Sequence, residues 1–219
     1  MHRFSRCKLP IDLNKIKKRF NNDYNCFCKQ DKGEHDLLRK FLYESQGHYC
    51  AYCEVVIPSI TDGHIEHLER RCDNPARSFD WDNMFFSCCN QDSCGNYKDN
   101  AKPRIFFAVQ DIIDPYIEDP QDYFAFDTEG NIFPRVGLAV AQRKRAEETI
   151  RVFNLNKSSR LRNLRRKAAV SVDSFLQNNP TEEEIIIFFS FLGSVDCISV
   201  YYTLLNRRGP LPCTAIPSM

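Results

Sequence analysis

Two cysteine groups set the narrowest limits on how this chain can fold. Cys50-Ala-Tyr-Cys53 is a CxxC knuckle, and Cys88-Cys89 followed by Cys94 lies some forty residues further on. A structural zinc ion takes four soft ligands in a tetrahedron, usually as two pairs on tight turns. Cys50 and Cys53 supply one pair at the right spacing. The second pair is Cys94 with either Cys88 or Cys89, on a loop longer than a minimal knuckle. The competing reading is a set of buried reduced thiols, which are common in cores. The matched spacing favours zinc. Residues 48–100 hold short apolar runs and turn residues, too few apolar side chains to fold on burial alone, so a bound metal would organise them.

The full chain has 219 residues, 42% of them hydrophobic and 11 of them cysteine. That hydrophobic content is enough for a packed core and excludes wholesale disorder. The cysteine count is odd and the first twenty residues carry no apolar leader, so the expected setting is the reducing cytoplasm rather than a secreted disulfide framework. Residues 185–205 are long enough to suggest a membrane span, but Asp196 sits near the middle, and they read as buried core.

The formal charge is only +1, yet it is unevenly spread. Residues 1–47 carry 11 basic and 6 acidic side chains, and residues 141–168 carry 10 and 2. Blocks of this kind suit a polyanionic partner. Three regions follow. Residues 1–47 read as a basic helical region, with one helix opened by Pro10 and another from about Glu34 to Ser45, joined by a polar loop at 21–32. Residues 48–100 read as the metal-organised unit. Residues 101–219 read as mainly helical after an irregular acidic stretch, with an Arg-rich helix after Ser158-Ser159 and a capping box at Thr181-Glu-Glu-Glu184. The fold class expected is α+β.

Inside the central unit lie His64-Ile-Glu66-His67, Asn83 before the apolar run 84–86, and Cys94-Gly-Asn96-Tyr-Lys98. Hydrolysing a phosphodiester needs a base to activate water and a cation to stabilise developing charge. On an extended segment, neighbours point to opposite sides. Glu66 could therefore bind a metal while His67 faces the phosphate, with His64 on the face of Glu66 as an outer or additional ligand.

This order resembles the HNH, or ββα-metal, endonucleases, and within them the PtuB-type nuclease subunit of Septu and retron-associated anti-phage systems. The stretches LLRKFLYESQGHYCAYCE, HIEHLERR, FDWDNMFFSC and CGNYKD carry the resemblance, with AEETIRVFNLN and the Arg-rich helix behind them. The resemblance implies two antiparallel strands and a helix gripping one divalent ion, buttressed by zinc. It implies His67 as general base, Glu66 and Asn96 as ligands of the catalytic ion, and Asn83 as the residue that fixes the intervening loop. Asn96 stands where histidine is common, which suits an oxygen-preferring ion, Mg²⁺ or Mn²⁺. The loop before Cys94 is long, and no proline closely follows His67, so the loop there is expected to differ.

Lys98, Arg70, Arg71, Arg162, Arg165 and Arg166 are the candidate nucleic-acid contacts, although the Arg-rich helix serves equally as a solvated face or a partner surface. The resemblance further implies a PtuA-type ATPase partner, with a retron reverse transcriptase and its non-coding RNA or DNA as companions. The chain contains no phosphate-binding GxxxxGK[ST] loop of its own. DNA is the favoured substrate. RNA such as tRNA, or a catalytically silent zinc-stabilised binding module, are the alternatives.

Overall fold

A computed structural model describes residues 1, 3–5, 8–190 and 199–200. The architecture is mixed α and β. Three N-terminal helices, α1 (Leu13–Arg19), α2 (Tyr24–Gln30) and α3 (Lys32–Ser45), lead into the cysteine knuckle. Strands β1 (Gly63–His67) and β2 (Met84–Cys88) then pair antiparallel, with Gly63 opposite Cys88 and His67 opposite Met84. Helix α4 (Cys94–Asn100) packs on β2. A second, smaller antiparallel pair, β3 (Phe124–Phe126) and β4 (Ile132–Pro134), precedes α5 (Val140–Val152), α6 (Ser159–Gln177) and α7 (Glu182–Ser190).

The helix starts follow side-chain capping. Asp12, Asp23 and Asp31 each accept a backbone N–H of the first turn of α1, α2 and α3, which satisfies donors that a helix end leaves orphaned. Asp12, rather than Pro10, therefore sets the start of α1. The segment 21–32, expected to be loop, contains α2. It buries only Tyr24 and Phe27, too few apolar positions to show a helical period, and Asp23 is what launches it. Helix α6 starts on Ser158 and buries Leu161, Ala168 and Val172 as the spacing predicts. The capping box also forms: Thr181 N donates to Glu184 Oε2 at 2.8 Å, and Glu184 N donates to Thr181 Oγ1 at 3.3 Å. The expectation for residues 191–198 and 201–205 lies outside the described residues. Among the described residues no helix is long and apolar enough to cross a membrane.

The hairpin β1–β2 is held on the outer edge of β2 by Gln46 and by the knuckle, whose Ala51 N donates to Phe86 O at 3.1 Å. The Gln46 amide at the end of α3 accepts from Phe86 N at 2.7 Å and donates to Phe86 O at 2.9 Å, the bonds a third strand would otherwise make. From the other side the end of α5 reaches in: Phe153 stacks on Tyr52 with ring centroids 3.9 Å apart, and its carbonyl accepts from Cys94 N at 2.9 Å. The knuckle, the hairpin and the start of α4 are thus clamped between the N-terminal helices and α5.

Candidate active site and metal centre

Strand alternation decides the cysteine ligands. Cys88 is the last residue of β2 and turns inward, while Cys89 leaves the strand and is exposed. The thiols of Cys50, Cys53, Cys88 and Cys94 all lie within 4.8 Å of one another and are buried. Cys53 and Cys88 sulfurs are 3.9 Å apart. Four Zn–S bonds of about 2.3 Å in a tetrahedron place sulfurs about 3.8 Å from one another, so this donor set fits zinc. Cys88 N donates to Cys50 Sγ at 3.4 Å, an outer contact that stabilises thiolate. Burial opposes charge on Cys50, but hydrogen bonds from the Cys53, Cys88 and Cys94 thiols outweigh it and hold Cys50 well below the ordinary thiol range. Cys94 adopts φ +60°, a left-handed turn that points its sulfur back into the cluster as α4 begins.

The Glu66-His67 pair ends β1. Glu66 is buried and both its oxygens are engaged: Lys98 Nζ lies 2.7 Å from Oε1, and the Tyr52 hydroxyl donates to Oε2. The ammonium of Lys98, itself fully buried, also donates to His67 O at 2.8 Å and to Asp99 Oδ1 at 2.7 Å. Burial raises the Glu66 carboxyl, and Lys98 pulls it back toward its charged form. The four-residue step from Cys94 to Lys98 puts both on the inward face of α4.

His67 is 5% exposed. Its Nε2 lies 2.9 Å from Ser78 O, which makes Nε2 the protonated nitrogen and leaves Nδ1 as the acceptor. Tyr24 of α2 sits edge-on to the imidazole, ring centroids 4.8 Å apart. Burial, aided by the Arg71 and Lys98 charges, outweighs the Ser78 contact and lowers His67 to about 3, so the ring is neutral in the physiological range. The loop that brings Ser78 to it is fixed by Asn83. That amide accepts from Glu69 N at 2.8 Å and donates to Glu69 O and Arg77 O at 3.1 and 3.2 Å.

Asn96 stands partly exposed on α4, where its backbone carbonyl accepts from Asn100 Nδ2 at 3.0 Å. A divalent ion held jointly by Glu66 and Asn96 does not fit this donor set, because a lysine ammonium and a phenol already take the carboxylate. His64, expected beside Glu66, instead has Nδ1 3.9 Å from Cys89 Sγ.

Three of the expected nucleic-acid contacts are buried. Lys98 is enclosed. Arg70 is buried against Asp99, Ile105 O and Lys98 O. Arg165 is buried and donates to Leu155 O at 2.6 Å. Each ties backbone together from the interior. Arg162 and Arg166 are exposed, and Arg71 lies over the Tyr24 ring at 4.9 Å.

Residues with no signal of their own in the sequence complete the site: Tyr52 inside the knuckle, Tyr24, the Ser78 carbonyl and Gly95. A Cβ on Gly95 would stand 2.3 Å from Glu66 Cγ, and Gly95 N donates to Ser87 Oγ at 3.2 Å. Gly95→Ala should therefore push α4 off β1 and disturb the Glu66–Lys98 pair, at about 1–3 kcal/mol. Thermal unfolding of the variant checks it, and an unchanged midpoint would contradict the close contact.

No protein-family profile matches the chain. It is similar to a Vibrio cholerae serotype O1 biovar El Tor protein named "Retron Vc95 putative HNH endonuclease", with 28% identity over 141 residues, 58% of this chain. The match spans 64% of that protein's length, somewhat under two thirds.

Proposed function

We propose that this chain is a nuclease of the HNH type, hydrolysing phosphodiester bonds with His67 as the general base. The observation that carries the reading is the geometry of His67: Nε2 is held by Ser78 O at 2.9 Å, which fixes one tautomer and leaves Nδ1 to accept a proton from water. The chain's residues divide the work. Asn83 fixes the loop that positions Ser78, Lys98 holds Glu66 and the His67 carbonyl together, and the cysteine zinc anchors the strand and helix that carry them. The name of the similar Vibrio protein supports the same class and a retron setting. In that setting the chain acts as the nuclease effector of an anti-phage complex, with a PtuA-type ATPase supplying nucleotide hydrolysis. DNA is the preferred substrate.

The near-complete burial of Glu66 and His67 favours a second reading, a zinc-stabilised binding module without catalysis. Digestion of matched plasmid DNA and tRNA by the protein with its ATPase, in Mg²⁺, in Mn²⁺ and without either, separates the readings. Degradation of DNA is the expected result. Cleavage of tRNA alone would reassign the substrate, and intact DNA and tRNA under all conditions would leave the binding module.

A further inference from the structure

A cleft of about 410 Å³ opens between residues 21–25 at the α1–α2 turn and residues 71–78 after β1. It is bordered by Tyr24 and Ser78, the two groups in contact with His67. Larger hollows along residues 8–14 and along α5 border neither of them. Its size is that of pockets which hold small ligands.

Two polar atoms at this cleft are buried with no partner, the Tyr24 hydroxyl and Asn22 Oδ1. Tyr24 is only 5% exposed, so an unsatisfied hydroxyl there carries a real desolvation cost. Burial raises the phenol further above its ordinary range, so it remains an O–H donor. Asn22 donates through Nδ2 to Pro75 O at 3.2 Å, which fixes the amide and leaves Oδ1 as a free acceptor. Asn21 and Asn22 hold φ of 53° and 61°, left-handed backbone that asparagine tolerates better than most residues. The charged residues lining the cleft are Arg71, a half-exposed guanidinium lying on the Tyr24 ring and bonded to Asn25 Oδ1 at 2.8 Å, and Asp23, whose carboxylate is engaged in capping α2 through Cys26 N at 2.9 Å. A cation, a hydroxyl donor and an amide acceptor around one small cleft match the parts of a nucleotide: phosphate, base or sugar oxygen, and base N–H or sugar hydroxyl.

We infer that this cleft binds one nucleotide of a single-stranded segment, Arg71 holding its phosphate while Tyr24 and Asn22 meet the base or sugar beside His67. The inference rests on the nuclease reading for its location in the reaction, but binding can be tested without cleavage. The full chain, in buffer without added divalent ions, is titrated with a short end-labelled single-stranded DNA and with its RNA counterpart, followed by fluorescence anisotropy. Arg71→Ala should weaken binding roughly ten-fold, the loss of a charge-assisted contact. Tyr24→Phe keeps the ring over His67 and removes the unsatisfied hydroxyl, so it should weaken binding about three-fold or more with a melting temperature no lower than that of the wild type. Asn22→Gly, which tolerates the left-handed turn, should behave likewise, and a loss larger for RNA than for DNA would place a 2′-hydroxyl on Asn22. Alkylation of Cys72, exposed on the same cleft, should slow when the strand is bound. Unchanged affinity in all three variants with unprotected Cys72 would overturn the site. Binding with these dependences in a protein that cleaves nothing would uphold the cleft and remove the nuclease reading. Cleavage with an unaltered KM in Arg71→Ala and Tyr24→Phe would do the reverse.

Discussion

Cys50→Ser is expected to abolish zinc binding and the folded state of the hairpin and α4. A four-cysteine zinc contributes apparent binding of about 10–16 kcal/mol in small zinc-dependent folds, as much as the whole stability of an ordinary domain, about 5–15 kcal/mol. The position is also central. Cys50 Sγ accepts from Cys88 N, and Cys50 itself is completely buried within the cluster. A hydroxyl there cannot replace the thiolate. Metal analysis should give one zinc per wild-type chain and much less in the variant, with a large drop in melting temperature. Cys89→Ser is the control, because Cys89 is exposed and outside the cluster, and it should leave both unchanged. Native metal content in Cys50→Ser, or zinc loss in Cys89→Ser, would refute the ligand set.

The next largest effect belongs to Lys98→Ala. Lys98 and Glu66 side chains are both 0% exposed and 2.7 Å apart. Breaking such a pair by removing one partner strands a charge in the interior, and typically costs about 3–5 kcal/mol. The loss here should reach the upper part of that range, since Lys98 also donates to His67 O and Asp99. The double variant Glu66→Gln/Lys98→Met removes both charges and should recover much of the melting temperature. A surface lysine that contacts phosphate predicts the opposite pattern: an unchanged melting temperature and weaker, less salt-dependent binding of nucleic acid. That pattern would contradict the enclosed ion pair.

Features of this fold are legible in the sequence where a local signal outweighs the tertiary one. The knuckle and Cys94 are legible because zinc demands a fixed spacing. The choice between Cys88 and Cys89 is not, since it turns on where β2 ends. Helix α6 announces itself through a long apolar period, whereas α2 buries too few residues to show one. The β3–β4 pair falls in a stretch that reads as irregular, because strands of three residues among prolines leave almost no alternation to find. Charge misleads most. Lysine and arginine are nearly always on surfaces, so the sequence presents Lys98, Arg70 and Arg165 as phosphate contacts when all three are interior. The i to i+4 relation between Cys94 and Lys98 is visible, but nothing local shows that Glu66 lies opposite. Tyr24 is hidden for the same reason as α2.

A role for His67 as the base of a phosphodiester hydrolase makes one demand above the others. Plasmid cleavage is compared between the wild-type protein and His67→Ala, each with the proposed PtuA-type ATPase added, after matching zinc content and melting temperature. Loss of a general base lowers the rate by about 10²–10⁴-fold. The expected result is cleavage by the wild type and a loss of that size in the variant. Equal cleavage by the two proteins, when both are folded and zinc-loaded, would contradict that role.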